Sequence, residues 1–259
     1  VLKSVSPMGE KYISLVNKAL NNGWIDAFES DGKKAGAYSS GVYGVHPYML
    51  LNYSQTLDDV FTLAHEMGHT MHTLLSNENQ PFATSGYTLY VAEVASTFNE
   101  ALLLDYLLRT TTDPKARIAL LQQSIENITS TFYTQVLFAD FESQVHKLVE
   151  KGVPVTEDVL TKIIKDLDEV YFGNSIEQLD LSYYIWTRIP HFYLYPFYVY
   201  QYATCFAASS KLFEDYSATP DNEKTNVTDR LMTLLKSGGN DYPTEQLKKA
   251  GVDLQNQRL

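Results

Sequence analysis

Three of the six histidines in the chain lie in one short stretch, which reads HEMGHTMH from His65 to His72. His65 and His69 are four residues apart, so on an α-helix they share a face and could hold one Zn²⁺ ion together. Glu66 is offset from that face by one residue, which suits a general base acting on a metal-activated water molecule. The competing interpretation is an amphipathic helix with partly buried histidines and no metal.

A catalytic zinc site needs a third protein ligand, and the downstream sequence offers Glu78, Glu93 and Glu100. Glu78 is expected in a loop just past the histidine helix and would have to fold back. Glu93 and Glu100 are about two helical turns apart and share a face of the next predicted helix, which returns antiparallel. Glu93 has small neighbours that permit close helix–helix approach: Ala92, Ala95 and Ser96. We therefore predict Glu93 as the third ligand and Glu100 as the hydrogen-bond partner of a ligating histidine.

The segments around the histidine helix predict a mainly α-helical fold. Thr56 precedes an apolar-periodic stretch with acidic residues in its first turn, which is typical of an N-cap. A short apolar run at 48–53 follows a Gly- and Ser-rich segment at 30–45, and together they predict a small antiparallel β element. Pro196 is expected to open a later helix. No repeat or composition break divides the chain, so we expect one multi-helix domain covering residues 1–259.

The composition indicates which binding partners and which cellular compartment to expect. The net charge of −11 argues against nucleic acid as a partner, because a phosphate backbone is usually bound by a basic surface. No uncharged apolar run reaches the roughly 18 residues of a membrane-spanning helix, and no signal-peptide pattern opens the chain. Cys205 is the sole cysteine, so an internal disulfide is excluded and a cytoplasmic location is expected.

Longer motifs carry a specific resemblance. HEMGHTMH, followed by YVAEVASTFNE at 90–100, is similar to the catalytic core of the oligoendopeptidase F family of thimet-type zinc metallopeptidases. Three further segments resemble the same family: SGVYGVHPYMLLNY, RIPHFYLYPFYVYQYATCFA and SGGNDYPTEQLKKAGVDL. The longer metzincin pattern fits less well, because it needs Gly and His where the chain has His72 and Leu75. The thermolysin-like pattern needs a glutamate where the chain has Thr88 or Leu89.

The resemblance implies a zincin-like metallopeptidase catalytic domain with one Zn²⁺ ion per chain. The ligands would be His65, His69 and Glu93, with Glu66 as the base. Members of this family cut internal bonds of short oligopeptides within a deep channel. They also carry a long N-terminal helical region that this chain lacks. Because the chain begins at Val1, we expect it to be the C-terminal catalytic part of a longer polypeptide, with that region as a partner.

An aromatic cluster is the second place where chemistry is expected. Residues 183–202 contain seven tyrosines and His191. The family motif matches four positions to substrate binding and transition-state stabilisation: His191, Tyr193, Tyr198 and Tyr200. The residues themselves do not choose among the four. An extended 191–195 would place His191, Tyr193 and Tyr195 on one side, whereas a helix from Pro196 would pair Tyr198 with Tyr202.

Two other functions remain open at this stage. A zinc carboxypeptidase of related fold would use the same metal site but trim peptide ends. A non-catalytic helical binding domain would keep the histidine helix for packing alone. His72, one turn past His69, is expected to have a structural role or to support the site rather than to bind metal.

Overall fold

The structure, a computed structural model, describes residues 1–175 and 179–255. Its α-helices are α1 (Glu10–Asn21), α2 (Leu57–Asn79), α3 (Leu89–Thr110), α4 (Pro114–Ile128), α5 (Thr134–Glu150), α6 (Glu157–Phe172), α7 (His191–Leu194), α8 (Val199–Ala218), α9 (Lys224–Lys236) and α10 (Pro243–Ala250). The chain forms two compact units, one of Val1–Ser124 with the chain from Thr204 onward, the other of Ile125–Ala203. None of the described helices has the length and apolar composition needed to cross a bilayer.

Helix α2 begins where the sequence predicted. The Thr56 side chain accepts a hydrogen bond from the Asp59 backbone N–H, and the Asp59 carboxylate accepts one from the Thr56 N–H. This reciprocal capping box satisfies backbone donors that a helix start otherwise leaves without partners. The helix then runs to Asn79 and ends shortly before Pro81, whose ring disfavours helical backbone in the residue before it.

Helices α2 and α3 pack antiparallel in the first unit. His65 on α2 contacts Glu100 near the middle of α3, whereas Gly68, further along α2, faces Ser96, which comes earlier on α3. The core around them includes Met67 and Met71 from α2, both with no exposed surface. Because these faces of both helices are buried, the polar side chains on them are surrounded by apolar core residues.

A three-stranded sheet precedes α2 and confirms the small β element. Its strands are β1 (Ile25–Asp26), β2 (Tyr38–Ser40) and β3 (Tyr48–Leu50), in the order β1-β3-β2. β2 pairs antiparallel with β3, as predicted, and β1, which lies before the predicted segments, adds to the other side of β3 in parallel. The connection between β1 and β3, residues 27–47, includes β2 and supplies the crossover that a parallel pair requires. Ser39 on β2 ties the sheet to α2 through a 2.8 Å hydrogen bond with Thr70.

The second unit is built around α5 and α6, with an apolar cluster that includes Leu137, Phe141 and Ile164. Residues 191–194 form the helical turn α7, so the extended alternative for this segment is wrong. The helix expected from Pro196 begins at Val199 instead. Phe197 has a φ of +61°, a left-handed conformation that interrupts a right-handed helix and delays its start.

Candidate metal centre

Three side chains from α2 and α3 converge on one point. The Nε2 atoms of His65 and His69 lie 3.2 Å apart, and each lies 3.2 Å from Oε2 of Glu93. The two histidines come from one face of α2, one turn apart, as their spacing predicted. Glu93 comes from α3 and is 2% exposed. The predicted ligand atoms therefore form a nearly equilateral triangle at the α2–α3 contact.

This triangle fits a zinc ion. A tetrahedral Zn²⁺ with bonds of about 2.0 Å holds its ligand atoms about 3.3 Å from one another. Two imidazole nitrogens and one carboxylate oxygen also form a donor set that catalytic zinc sites use, with a fourth position left for water or substrate. Within the described part of the chain, this is the group of histidine and acidic side chains that could hold a metal ion.

Glu100 orients the first histidine. Its Oε1 atom lies 2.5 Å from Nδ1 of His65, the ring nitrogen turned away from the other two ligands. A carboxylate only accepts hydrogen bonds, so Nδ1 carries a proton toward Glu100, and Nε2 is the nitrogen that a metal ion would bind. Burial alone would lower the pKa of His65, but the hydrogen bonds with Glu100 and Glu93 outweigh it and raise that pKa well above its usual range.

The Glu93 carboxylate is held in its charged form. Burial acts to raise the pKa of Glu93, but the charge of His69 and the hydrogen bonds from both imidazoles outweigh it. The pKa of Glu93 consequently lies well below its usual range. An ionised carboxylate is the form that binds a cation.

Glu66, the residue after His65 on α2, has a carboxylate oxygen that the described residues leave without a hydrogen bond. Its side chain is buried, and Oε2 has no hydrogen-bond partner among the described residues. A buried polar atom without a partner is costly, and such atoms are concentrated where a ligand or a reaction supplies the partner. Burial, partly opposed by His65 and His69, raises the pKa of Glu66 above its ordinary value.

Comparison with known proteins identifies the family of the chain. The sequence profile of peptidase family M3 matches residues 2–258, nearly the whole chain. The chain belongs to peptidase family M3. Oligopeptidase PepF of Bacillus subtilis is 42% identical over 257 residues, which are 98% of this chain and 37% of that protein. An oligoendopeptidase F homolog of Lactococcus lactis is 41% identical over 249 residues, which are 95% of this chain and 40% of that protein.

A solved structure supports the same assignment. The crystal structure of oligoendopeptidase-F from Enterococcus faecium matches with a TM-score of 0.66 at 33% identity, covering 98% of this chain and 38% of that one. The resemblance to the oligoendopeptidase F family is therefore confirmed. The M3 chain spans about two fifths of the length of these relatives.

Two other residues near the histidine helix, Glu78 and His72, lie outside the triangle of ligand atoms. Glu78 was expected in a loop, but it lies in the last turn of α2, where its carboxylate accepts a 2.7 Å hydrogen bond from the Lys11 ammonium. His72 is fully buried and stacks on Tyr87, with ring centroids 3.6 Å apart. Neither residue belongs to the triangle of ligand atoms.

The four aromatic-cluster residues predicted to bind substrate lie in the second unit. His191 contacts the Tyr198 ring at 5.2 Å, and its Nε2 atom lies 3.5 Å from the Tyr202 hydroxyl. Tyr198 and Tyr202 share a side, with ring centroids 5.2 Å apart. Tyr193 instead donates its hydroxyl proton to the Trp186 carbonyl, and its side chain is exposed. Tyr200 is also partly exposed. Only His191 and Tyr198 of the predicted four are thus brought together.

The sequence did not predict one contact at the candidate metal centre. Ser96 donates a hydrogen bond of 2.9 Å to Oε2 of Glu93, the same oxygen that faces both imidazoles. From the sequence alone, Ser96 is notable for its small size. Its position three residues after Glu93 was an available signal, because side chains three apart on a helix are neighbours.

Proposed function

We propose that this chain is the catalytic part of a zinc-dependent endopeptidase that hydrolyses internal bonds of short peptides. The observation that supports it most directly is the triangle of His65, His69 and Glu93, with the partnerless oxygen of Glu66 beside it. Structural ion pairing would explain a single His–Glu contact. It does not explain three ligand atoms at equal spacing next to a buried, unused carboxylate oxygen.

His65, His69 and Glu93 would hold the ion. When bound, zinc would supply Lewis-acid polarisation of the substrate carbonyl and lower the pKa of a water molecule. Glu66 accepts a proton from the attacking water as the new C–O bond forms. It then gives that proton to the amine nitrogen as the peptide C–N bond breaks, so Glu66 ends in its starting state.

His191 and Tyr198 are proposed to bind substrate and donate hydrogen bonds to the developing oxyanion. Their contact within the second unit supports a shared role, and fixed donors of this kind are worth several kcal/mol in hydrolytic enzymes. Tyr193 and Tyr200 remain predictions of the sequence motif. A Tyr198→Phe variant should lower kcat, whereas Tyr133→Phe, which removes an exposed hydroxyl of the second unit outside the aromatic cluster, is the control and should leave kcat unchanged.

Oligopeptides are the proposed substrates, in line with the names of the matching relatives. An M3 chain that trims ends as a carboxypeptidase is the alternative. A series of peptides of increasing length separates the two, because an endopeptidase releases internal fragments and a carboxypeptidase releases single C-terminal residues. A cytoplasmic location and an additional N-terminal region as partner both stay predictions.

The deciding experiment is Glu66→Gln, with Glu78→Gln as a control for loss of a glutamate from the same helix. Glu66→Gln should keep one zinc per chain by elemental analysis and lose peptide hydrolysis by a factor of about 10² to 10⁴, the contribution of a general base. Glu78→Gln should keep both properties. Full hydrolysis by Glu66→Gln would contradict the proposed base.

The metal content of the unmodified chain is tested in the same experiment. A chain that binds no zinc even after reconstitution would favour the non-catalytic binding domain. Zinc binding without hydrolysis, both alone and with the N-terminal region of a relative supplied in trans, would overturn the catalytic proposal.

A further inference from the structure

Ser96 occupies an unusual position among the buried hydroxyl groups of the first unit. Its side chain has no exposed surface, and its Oγ atom lies 2.9 Å from Oε2 and 3.0 Å from the backbone oxygen of Glu93. A helical serine often bonds a backbone carbonyl one turn back. Here, however, the hydroxyl also reaches the carboxylate oxygen that lies 3.2 Å from each imidazole.

The backbone oxygen of Glu93 does not depend on Ser96, because Glu93 lies inside α3, where the Thr97 backbone N–H one turn later donates to that oxygen. The Thr97 hydroxyl also lies 2.6 Å from it. The specific consequence of the Ser96 hydroxyl is therefore at the carboxylate. A buried carboxylate requires hydrogen bonds, and the Ser96 hydroxyl bonds the same oxygen that faces the histidines, which opposes rotation of the carboxylate away from them.

The helix packing places Ser96 where it can do this. A Cβ atom on Gly68 would lie 2.5 Å from the Ser96 Cα and 2.6 Å from the Ala95 carbonyl oxygen. Only a glycine at this point of α2 lets the α3 backbone approach so closely. Gly68 therefore determines how closely α3 packs against α2, and the Ser96 hydroxyl orients the Glu93 carboxylate.

We propose that Ser96 is a positioning residue that orients the Glu93 carboxylate for metal binding. This inference rests on the proposed function, because it assumes that His65, His69 and Glu93 bind zinc. Outer hydrogen-bond partners of metal ligands typically change metal affinity about 10- to 100-fold when they are removed. Ser96 contributes through the orientation of Glu93 and does not itself touch the metal position.

The test is zinc affinity of the purified chain, measured by competition with a chromophoric chelator. Ser96→Ala should raise the zinc dissociation constant about 10- to 100-fold. Alanine is the strongest helix former and adds no atoms, so α3 should still fold. Ser76→Ala is the matched control, since Ser76 is equally buried on α2 and donates to a backbone oxygen, that of Ser85. That control should keep the unmodified affinity.

A spectroscopic readout separates positioning from a general loss of stability. Visible absorption of the cobalt-substituted protein reports ligand geometry. The bands should shift in Ser96→Ala and stay unchanged in Ser76→Ala. If the unmodified chain binds one zinc ion and Ser96→Ala has the same affinity and the same cobalt spectrum, the role of Ser96 is overturned while the proposed function stands. If the unmodified chain binds no zinc, the proposed function fails and this inference fails with it.

Discussion

Glu100 lies 2.5 Å from Nδ1 of His65, on the opposite side of the ring from the nitrogen that faces His69 and Glu93. The hydrogen bond fixes which nitrogen is free to bind metal and prevents the ring from flipping. The two carboxylates of α3 thus act on the same histidine from opposite sides. One would share the metal with it, and the other holds its proton.

Removing the charge of Glu100 should weaken the metal site without dismantling it. Glu100→Gln keeps the shape of the side chain, and we expect the zinc dissociation constant to rise about 10- to 100-fold, as for other hydrogen-bond partners of ligating histidines. Chelator competition measures this change. Glu78→Gln serves as the control, because that carboxylate pairs with Lys11 and should leave zinc affinity unchanged. Equal affinities for the two variants would rule out this role of Glu100.

Gly68→Ala tests whether close packing of α2 on α3 positions the ligands. Within a helix, alanine is more favourable than glycine by about 1 kcal/mol. If the site had room for the added methyl group, Gly68→Ala would therefore stabilise the chain. A Cβ atom here would instead meet the Ser96 Cα at 2.5 Å, and we expect a loss of about 1–3 kcal/mol in the free energy of unfolding. Zinc affinity should fall as well, because α3 carries Glu93.

Denaturant unfolding and chelator competition give the two readouts. Gly86→Ala is the control, since a Cβ atom at Gly86 meets nothing within 4 Å. A Gly68→Ala variant that gains stability would show that the two helices can separate freely at this point.

His72 should make the fold sensitive to acid. Burial, with a smaller contribution from the charge of His69, lowers the pKa of His72 from its ordinary value of 6.5 to about 3. Between these two pH values the unfolded chain binds a proton at His72 and the folded chain does not. Stability should therefore fall as the pH drops through this range, by about 1.4 kcal/mol per pH unit.

His72→Phe isolates this contribution. The ring can still stack on Tyr87, and no hydrogen bond is lost, because neither nitrogen of His72 has a partner among the described residues. Denaturant unfolding of the metal-free chain between about pH 7 and pH 5 should show a shallower loss of stability in the variant. Parallel curves for the two proteins would contradict the assignment. Zinc binding should survive, since His72 is not one of the ligands.

Much of the candidate metal centre was predictable because its geometry is local to two helices. The spacing of His65 and His69 determines a shared face once α2 forms, and the same holds for Glu93 and Glu100 on α3. Small residues beside Glu93 indicated the close helix contact. The function of Ser96 was not predictable in the same way, because its hydroxyl has two acceptors and only the packed structure shows that both are reached.

The features that the sequence did not predict depend on contacts between residues distant in the chain or on an unusual backbone conformation. β1 was missed because it is only two residues long and pairs with a strand far along the chain, so its formation depends on tertiary contacts. The polar composition around Glu78 suggested a loop, but the ion pair with Lys11 lies on the last turn of a continuing helix. Phe197 adopts a left-handed backbone that its residue type disfavours, which moved the start of α8 to Val199.

The conformation of Phe197 leads to a prediction about the second unit. Its backbone N–H donates a 2.7 Å hydrogen bond to the buried Glu142 carboxylate. A left-handed backbone at such a residue costs on the order of 1–3 kcal/mol and persists only where its surroundings hold it. Glu142→Ala should therefore lower the free energy of unfolding of this unit by about 1.5–3 kcal/mol, the range for hydrogen bonds to charged groups.

The two tryptophans allow this unit to be followed by itself. Trp24 lies in the first unit and Trp186 in the second, so a Trp24→Phe background leaves fluorescence that reports on the second unit. Glu142→Gln in that background keeps an acceptor oxygen without the charge and should lose less stability than Glu142→Ala. If both variants unfold at the same denaturant concentration as the Trp24→Phe parent, the Phe197 turn does not depend on Glu142. In that case the contact at 2.7 Å would contribute nothing to the position of Tyr198, the next residue in the chain.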